Sequence, residues 1–404
     1  MLLARVAEQL YWAARYVERA EGMARVVGVH THLLVDLPTS VPLTWEPLLD
    51  IPGLRDPFGE RGSLLRERHI VGFLLADPAN RSSVLACVTA ARDNLRSSRE
   101  VLPREAWQAF NDLYLYVASH HAESIDRRHR GRFVDRVVAE AQRFNGTLAG
   151  CMGRDSAYQL LDLGRQLERA DMACRVLQVR AVALMAGTDG ADSATSSAGS
   201  ASATGPDGAA GSDGAAGAAG GNGAAGADGA TPAVPRVRSV PAAPSIGPAA
   251  VQTYVPRHDD VQWAAVLRSL SAEQAYRRRP VPASGRSVVE FLLHDATFPA
   301  SIRHCLDQVA ATVAVLPRSD APRAAARGAL QALADVPGGE AVRLDRGLDE
   351  LQSALHVVHE QVEVTWFPPP SPPPLADAAG PAGAEDGTAP AHAAGRRPSG
   401  GSDR

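Results

Sequence analysis

Small or apolar residues recur at alternating steps of three and four between Leu3 and Leu34. This spacing is that of a helix packing at a shallow angle on a neighbouring helix, so it predicts one long helix, which Pro38 terminates. The opposite side mixes large aromatic residues with charge, as at Trp12 and Arg15. A helix with two such faces is typical of the centre of a helical bundle.

Comparable patterns predict a series of further helices and no strand of any length. They cover residues 45–49, 64–75, 83–101, 103–117, 132–149, 155–185, 259–279, 287–293, 300–315, 321–334 and 340–366. Asn80 or Ser82 is expected to cap the helix that begins near residue 83, because short polar side chains satisfy the first backbone N–H groups of a helix. The sequence therefore predicts an all-α protein, a multi-helix bundle.

Two blocks of the chain lack the large apolar side chains that a core requires. Residues 187–257 are mostly Ala, Gly, Ser and Asp, followed by Pro, and residues 368–404 are rich in Pro, Ala and Gly. Such segments bury too little apolar surface to offset the entropy of ordering, so a disordered linker and a disordered C-terminal tail are expected. Residues 1–186 are then the N-terminal part of the bundle, and residues 258–367 are expected to complete it.

The first long helix contains a stretch that returns later in the chain. Residues 15–21 (RYVERAE) reappear as residues 165–171 (RQLERAD), an offset of 150. In each copy two arginines and a glutamate stand at positions i, i+4 and i+3, which share one side of a helix. The sequence therefore predicts an internal pseudo-repeat of a long helix that bears Arg and Glu.

The repeated face has three interpretations. The charges could pair within each helix, as Glu21 with Arg25 at i, i+4, or they could simply be solvated. Alternatively, the two helices pack with pseudo-twofold symmetry, so that Glu18 meets Arg165 or Arg169 while Glu168 meets Arg15 or Arg19. Four arginines against two glutamates would then leave donors for a carboxylate or phosphate. The candidate ligand-binding or partner-binding residues are Arg15, Glu18, Arg19, Arg25, Arg165, Glu168, Arg169 and Arg175.

Net charge and composition exclude several classes of partner and of reaction. The net charge is −4 and no basic stripe is present, so neither nucleic acid nor a membrane is expected as a partner. All 41 basic residues are arginine. The missing lysine excludes a P-loop and Schiff-base chemistry, since both need a lysine amine. The N-terminal residues do not read as a signal peptide, and a cytoplasmic location is expected.

The other reactive side chains point to no known site. The four cysteines are isolated and are expected to be small buried residues in a reducing compartment. His356, His359 and Glu363 share a helical face that could serve a metal, but no partner motif occurs elsewhere, so helix packing or solvent contact is the favoured role. The cluster around His120, His121 and Glu123 does not share a face. No nucleophile motif appears, and no cofactor or metal is predicted.

Several motifs together resemble one family. They are residues 5–12 (RVAEQLYW), 77–80 (DPAN), 91–94 (ARDN), 113–116 (LYLY), 133–136 (FVDR), 152–158 (MGRDSAY), 163–172 (LGRQLERADM), 288–293 (VVEFLL) and 298–299 (FP). In combination they resemble the alpha-E domain family, bacterial all-helical proteins of unsettled activity. Essentially all the chain predicted to fold is covered by this resemblance.

The resemblance implies a partner. Such domains are typically encoded beside, or fused to, circularly permuted ATP-grasp ligases, often with transglutaminase-like peptidases, in systems thought to make or modify peptides through amide bonds. The chain is then expected to be an accessory protein that binds an acidic group, a phosphate or the ligase through its Arg/Glu helices. The alternative is a helical hydrolase or transferase with Glu18 or Glu168 as general base and an anionic substrate held by arginine.

Overall fold

The computed structural model describes residues 3–38, 43–185, 258–279, 284–338 and 340–367. Within these ranges the chain is helical and contains no strand, which confirms the all-α prediction. The predicted linker, residues 187–257, and the predicted tail, residues 368–404, lie outside the described residues. None of the described helices is both long and apolar enough to cross a membrane.

Most helices follow the predicted pattern with shifted ends. Residues 55–59 form a helix that was not predicted, and the helix predicted over 259–279 is divided in two. They are α1 (Ala4–Asp36), α2 (Pro47–Asp50), α3 (Arg55–Gly59), α4 (Glu67–Leu75), α5 (Val84–Ser97), α6 (Arg104–His120), α7 (Arg127–Cys151), α8 (Ser156–Val176), α9 (His258–Ser269), α10 (Glu273–Arg277), α11 (Gly285–His294), α12 (Ile302–Val315), α13 (Asp320–Ala334) and α14 (Ala341–Trp366). The predicted helix over 155–185 is interrupted, because α8 passes into a π-helical turn at Leu177–Ala181.

The cap of α5 differs from the prediction. Ser83, rather than Asn80 or Ser82, accepts a hydrogen bond from the backbone N–H of Ala86 at 3.1 Å. Asn80 instead donates to the carbonyl of Phe73 at 2.8 Å and accepts from the backbone N–H of Ser82. Asn80 therefore fixes the loop ahead of α5, and Ser83 fixes the start of the helix itself.

Helix α1 lies at the centre of the fold, as its two-faced pattern predicts. It packs against α5, α7, α8 and α9, while α12 and α14 pack against α8, and α13 packs against both of them. Its seam residues Leu10, Val17, Ala24 and Val27 are fully buried. The described helices on both sides of residues 187–257 thus contribute to one compact unit that ends at Phe367.

Helices α1 and α8 approach each other closely at Gly164. A Cβ atom placed there would lie only 2.3 Å from the backbone oxygen of Tyr11 and 3.3 Å from Cβ of Ala14. No side chain fits at such distances, so glycine is required at this position. Ala14 is the residue 150 positions earlier, so the contact joins equivalent points of the repeat.

Candidate functional site

The two copies of the repeat face each other in the core. Arg169 donates from Nε to Oε1 of Glu18 at 2.6 Å and from Nη2 to Oε2 at 3.0 Å. Arg19 donates to Glu168 through the same atoms, at 2.5 and 2.9 Å. We call these four residues, Glu18, Arg19, Glu168 and Arg169, the Glu–Arg clasp. The cross-bridging predicted from the duplication is therefore present, with Arg169 as the partner of Glu18.

One arginine of each copy behaves differently. Arg15 donates from Nε to Oε2 of Glu168 at 2.7 Å, and its guanidinium lies 5.5 Å from the Trp12 ring. Its counterpart Arg165 does not reach Glu18, because it pairs with Asp162 three residues earlier in its own helix. Position 162 is the equivalent of position 12, so an aspartate stands where the first copy has a tryptophan. Glu168 consequently binds two arginines and Glu18 only one.

The remaining two arginines form pairs within their helices. Arg25 donates to Oε1 of Glu21 at 2.6 Å, and Arg175 donates to Asp171 at 3.0 Å, both at i, i+4. The first of these is the intrahelical pair that the sequence predicts. Arg15 and Glu18, which also share a face of α1, do not pair with each other, because Arg15 binds Glu168.

The electrostatics of Glu168 do not favour proton transfer. Glu168 is 2% exposed, and burial alone would raise the pKa of its carboxyl group, but Arg19 and Arg15 lower the pKa to about 2. A general base needs a pKa nearer the working pH. Both oxygens of Glu18 likewise accept hydrogen bonds from Arg169. The clasp therefore has the geometry of a structural element, and it offers little support to Glu18 or Glu168 as general base.

A pocket adjoins each side of the clasp. The larger one, about 690 Å³, lies between α1, α8 and α14, and we call it the arginine pocket. Its polar lining consists of Trp12, Arg15, Arg19, Asp171, Arg175, Gln352, Ser353, His356 and His359. The smaller one, about 270 Å³, lies between α1, α7, α8 and the turn after α9, and we call it the Glu21 pocket. Its polar lining consists of Glu18, Glu21, Arg25, Gln142, Asn145, Arg169, Ser269 and Ser271.

The two pockets are related by the duplication. Arg19, Asp171 and Arg175 line the arginine pocket, and their equivalents Arg169, Glu21 and Arg25 line the Glu21 pocket. Arg15 lines the arginine pocket but has no counterpart in the Glu21 pocket, because its equivalent Arg165 pairs with Asp162. All eight predicted candidates thus lie at or beside the interface of α1 and α8. Six of them line the two pockets, three in each, and Glu168 and Arg165 line neither.

The rings of Trp12, His356 and His359 form one wall of the arginine pocket, and the buried Tyr11 packs behind His359. The Tyr11 hydroxyl lies 2.8 Å from Nδ1 of His359 and accepts a hydrogen bond from Nη1 of Arg15 at 3.4 Å. Burial raises the pKa of Tyr11 to about 12, and burial together with Arg15 lowers the pKa of His359 to about 4. Both rings are therefore neutral near neutral pH, and the positive charge of this wall belongs to arginine.

The histidines and cysteines considered in the sequence analysis have local packing contacts or are exposed. His359 packs on Tyr11 and Trp12, as the packing role predicts, and the described residues contain no group of three or more His, Cys, Asp or Glu that could hold a metal ion. Cys87, Cys174 and Cys305 are buried as predicted, whereas Cys151 is exposed. For Cys151 the prediction was wrong, because this residue ends α7 and none of the described helices covers it.

Sequence reasoning missed three residues of this region. Gly164 sets the distance between the helices, Glu21 lines the smaller pocket, and Tyr11 joins α1 to α14. A signal was available for the asymmetry, since an aspartate three residues ahead of Arg165 favours an intrahelical pair. No comparable signal identifies His359 as the partner of Tyr11, because the two residues are 348 positions apart.

The comparisons with known proteins agree with the architecture. No curated protein and no solved structure matches the chain. A family described as a predicted alpha-helical domain with a conserved ER motif matches residues 2–203 and 238–367. Glu-Arg dipeptides occur here at residues 18–19, 60–61, 67–68 and 168–169, and the first and last of them form the clasp. The chain, matched over most of its length, belongs to the Alpha-E family.

Proposed function

We propose that this protein is an accessory binding protein of an ATP-dependent amide-bond-forming system, and that its arginine pocket holds a carboxylate or phosphate group. The observation that carries the proposal is the surplus of guanidinium groups. Arg15, Arg19 and Arg175 line the pocket with Asp171 as the one carboxylate among the lining residues, and Glu168 lies beneath them. Three cations against two anions leave a charge of +1.

The guanidinium groups of the arginine pocket retain N–H donors that suit an anion. Nη2 of Arg15 and Nη1 of Arg19 make no hydrogen bond to any of the described residues, so both retain a donor after binding Glu168. Guanidinium groups bind carboxylate and phosphate oxygens with strong charge-assisted hydrogen bonds. In the Glu21 pocket two lining arginines face two lining glutamates, which leaves no surplus. The anion site is therefore assigned to the arginine pocket.

The accessory role rests on what the chain lacks and on its family. It contains no lysine for the phosphates of a P-loop, and Glu168, with its pKa lowered to about 2, is a poor proton acceptor. ATP chemistry would then belong to a separate circularly permuted ATP-grasp ligase, with a transglutaminase-like peptidase as a further candidate partner. Co-purification of the native protein tests this role, and isolation without any such ligase counts against it.

Binding of small anions tests the pocket directly. N-acetyl-alanyl-alanine, its C-terminal amide and inorganic phosphate are titrated into the full chain at neutral pH and low salt, and binding is followed by calorimetry or by changes in ligand NMR signals. The free carboxylate or the phosphate is expected to bind, and the amide is not. Whichever of the two anions binds more tightly identifies the chemical source of the anion.

A matched pair of variants assigns the binding to one pocket. Arg175→Gln removes a lining cation of the arginine pocket, and Arg25→Gln removes its equivalent from the Glu21 pocket. Losing one charge-assisted hydrogen bond costs about 1.5–3 kcal/mol, so Arg175→Gln is expected to weaken anion binding about tenfold or more. Equal binding by the two variants, or no preference for the carboxylate over the amide, contradicts the proposal.

A further inference from the structure

We propose that the Glu21 pocket is a second binding site, which takes a protonated amine on a small apolar body and binds its N–H group through Oε2 of Glu21. The site is independent of the anion site, since it lies on the other side of the clasp and uses the opposite charge. The argument begins with the state of one carboxylate oxygen.

Glu21 has one engaged oxygen and one free oxygen. Oε1 accepts from Nη2 of Arg25 at 2.6 Å and from Nε2 of Gln142 at 3.2 Å. Oε2 is buried and has no hydrogen-bond partner among the described residues. The residue is 6% exposed and lines the cavity, so the free oxygen is withdrawn from bulk solvent. A buried acceptor without a donor is costly, and a ligand that supplies the donor removes that cost.

The unpaired oxygen of Glu21 has no counterpart at the equivalent position of the other repeat copy. Its equivalent is Asp171, whose side chain is shorter and more exposed, 19% against 8% for Glu21. No oxygen of Asp171 is buried without a partner. The additional methylene of Glu21 carries its carboxylate into the core between α1, α7 and α8. The copy with glutamate therefore has the unmet acceptor, and the copy with aspartate does not.

The charges around Glu21 leave room for a cation. Glu18 and Arg25 lie on its own helix and Arg169 on α8, while α7 and the turn after α9 line the cavity with the amides of Gln142 and Asn145 and with serines. Because Arg169 is bound to Glu18 and Arg25 to Oε1, neither arginine satisfies Oε2. Burial, and secondly Glu18, raise the pKa of Glu21, so its ionised form is disfavoured. An ammonium group beside Oε2 stabilises the ionised form.

The rest of the cavity suits an apolar body of modest size. Apolar walls come from Met172, Leu270, Phe298 and Pro299. The volume of about 270 Å³ is just below the range of most ligand sites, roughly 300–1,000 Å³, so only a small body fits. Gly22 keeps this space open, because an added Cβ would lie 3.3 Å from Cγ of Met172. The walls and the acceptor together describe an amine with an aromatic or branched substituent, such as an amino-acid side chain provides.

Benzylammonium is a suitable probe, and benzyl alcohol is its uncharged control. Both are titrated into the full chain at neutral pH, with binding followed by ligand NMR signals. Glu21→Gln keeps the shape of the side chain and removes its charge, and Asp171→Asn makes the same change at the equivalent position of the other copy. We expect Glu21→Gln to weaken benzylammonium binding about tenfold or more and Asp171→Asn to leave it unchanged.

The pH dependence gives a test that needs no variant. Amines remain protonated well above neutral pH, so the carboxylate is the group that titrates. Benzylammonium affinity is therefore expected to fall as the pH is lowered from neutral and Glu21 takes up its proton, while the affinity for benzyl alcohol stays level. The pH dependence of benzylammonium affinity tests the amine site even if Glu21→Gln destabilises the fold.

Three outcomes overturn the inference. They are equal affinity for benzylammonium and benzyl alcohol, undiminished binding by a folded Glu21→Gln variant, and no saturable binding, which would mean that the cavity holds only water. None of them affects the anion site, because Arg175 and Arg15 do not line this cavity. Conversely, failure of the anion titration leaves the amine site standing.

Discussion

The two pockets beside the clasp are lined by equivalent positions of the two repeat copies, but they differ in charge. Both are bounded by α1 and α8, and both contain one clasp arginine and one intrahelical ion pair. The arginine pocket has an additional guanidinium, and the Glu21 pocket has a free carboxylate oxygen. The two copies of the helix thus keep equivalent salt bridges between them, while single differences at their edges give the two pockets different charged groups.

Two positions account for the difference. Trp12 supports Arg15 over its ring, whereas its equivalent Asp162 pairs with Arg165 and removes that cation from the other pocket. Glu21 is one methylene longer than its equivalent Asp171. The first substitution makes one pocket positive, and the second gives the other pocket its buried acceptor. The comparison therefore predicts unequal effects from equivalent mutations.

The largest losses of stability are expected at the two clasp glutamates, and they should be unequal. Glu168→Gln leaves both Arg15 and Arg19 in the core without an anion, which is expected to cost about 3–5 kcal/mol of unfolding free energy. Glu18→Gln leaves only Arg169, at an expected cost of about 1.5–3 kcal/mol. Urea denaturation of both variants measures the difference. A larger loss for Glu18→Gln contradicts the asymmetry of the clasp.

The next largest loss is expected at one of two helical glycines of the interface. Alanine favours a helix over glycine by about 0.8–1 kcal/mol. At Gly164 the added methyl group meets the backbone oxygen of Tyr11, so Gly164→Ala is expected to lower stability by about 2 kcal/mol or more. At Gly22 it meets the flexible side chain of Met172, so Gly22→Ala is expected to be near neutral. Thermal unfolding checks both, and equal melting temperatures contradict the close approach at Gly164.

The pH dependence should differ in sign between Glu168 and Glu21. The pKa of Glu168 is lowered from 4.5 to about 2, so its stabilisation is complete above pH 4.5 and is lost as the pH falls towards 2. The pKa of Glu21 is raised above 4.5, so its contribution to stability declines as the pH rises above 4.5.

Acid titration of the variants separates these contributions. Glu168→Gln is expected to flatten the loss of stability between pH 4.5 and 2, whereas Glu21→Gln is expected to flatten the decline above pH 4.5. Stability is measured by urea denaturation at a series of pH values. Identical profiles for the wild type and the two variants would contradict the assigned shifts.

The smallest effect is expected at Asp162. Its side chain and that of Arg165 are 11% and 21% exposed, and the pair lies one turn from the clasp. Partly exposed intrahelical pairs contribute about 0.3–0.5 kcal/mol, so Asp162→Asn should lower the free energy of unfolding by less than about 1 kcal/mol. A loss as large as that of Glu168→Gln would show that Arg165 belongs to the clasp after all.

The comparison also shows how far the sequence predicts the fold and the site. Helix positions follow from periodicity, and the clasp follows from the repeat, because equivalent Arg and Glu residues on two packed helices have few other partners in the core. The division into two pockets does not follow, since their outer walls come from α14 and from the turn after α9. Contacts such as Tyr11 with His359 depend on tertiary packing, which periodicity does not encode.

A double-mutant cycle on Glu18 and Arg169 tests the central claim most directly, with Glu18 and Arg165 as the control cycle. Each residue is changed to glutamine, alone and in pairs, and the free energy of unfolding is measured. Paired residues deviate from additivity by about 0.5–3 kcal/mol, so the account predicts such a coupling for Glu18 with Arg169 and additivity for Glu18 with Arg165. Additivity in the first cycle, or coupling in the second alone, would contradict the reciprocal pairing of the two Glu-Arg dipeptides.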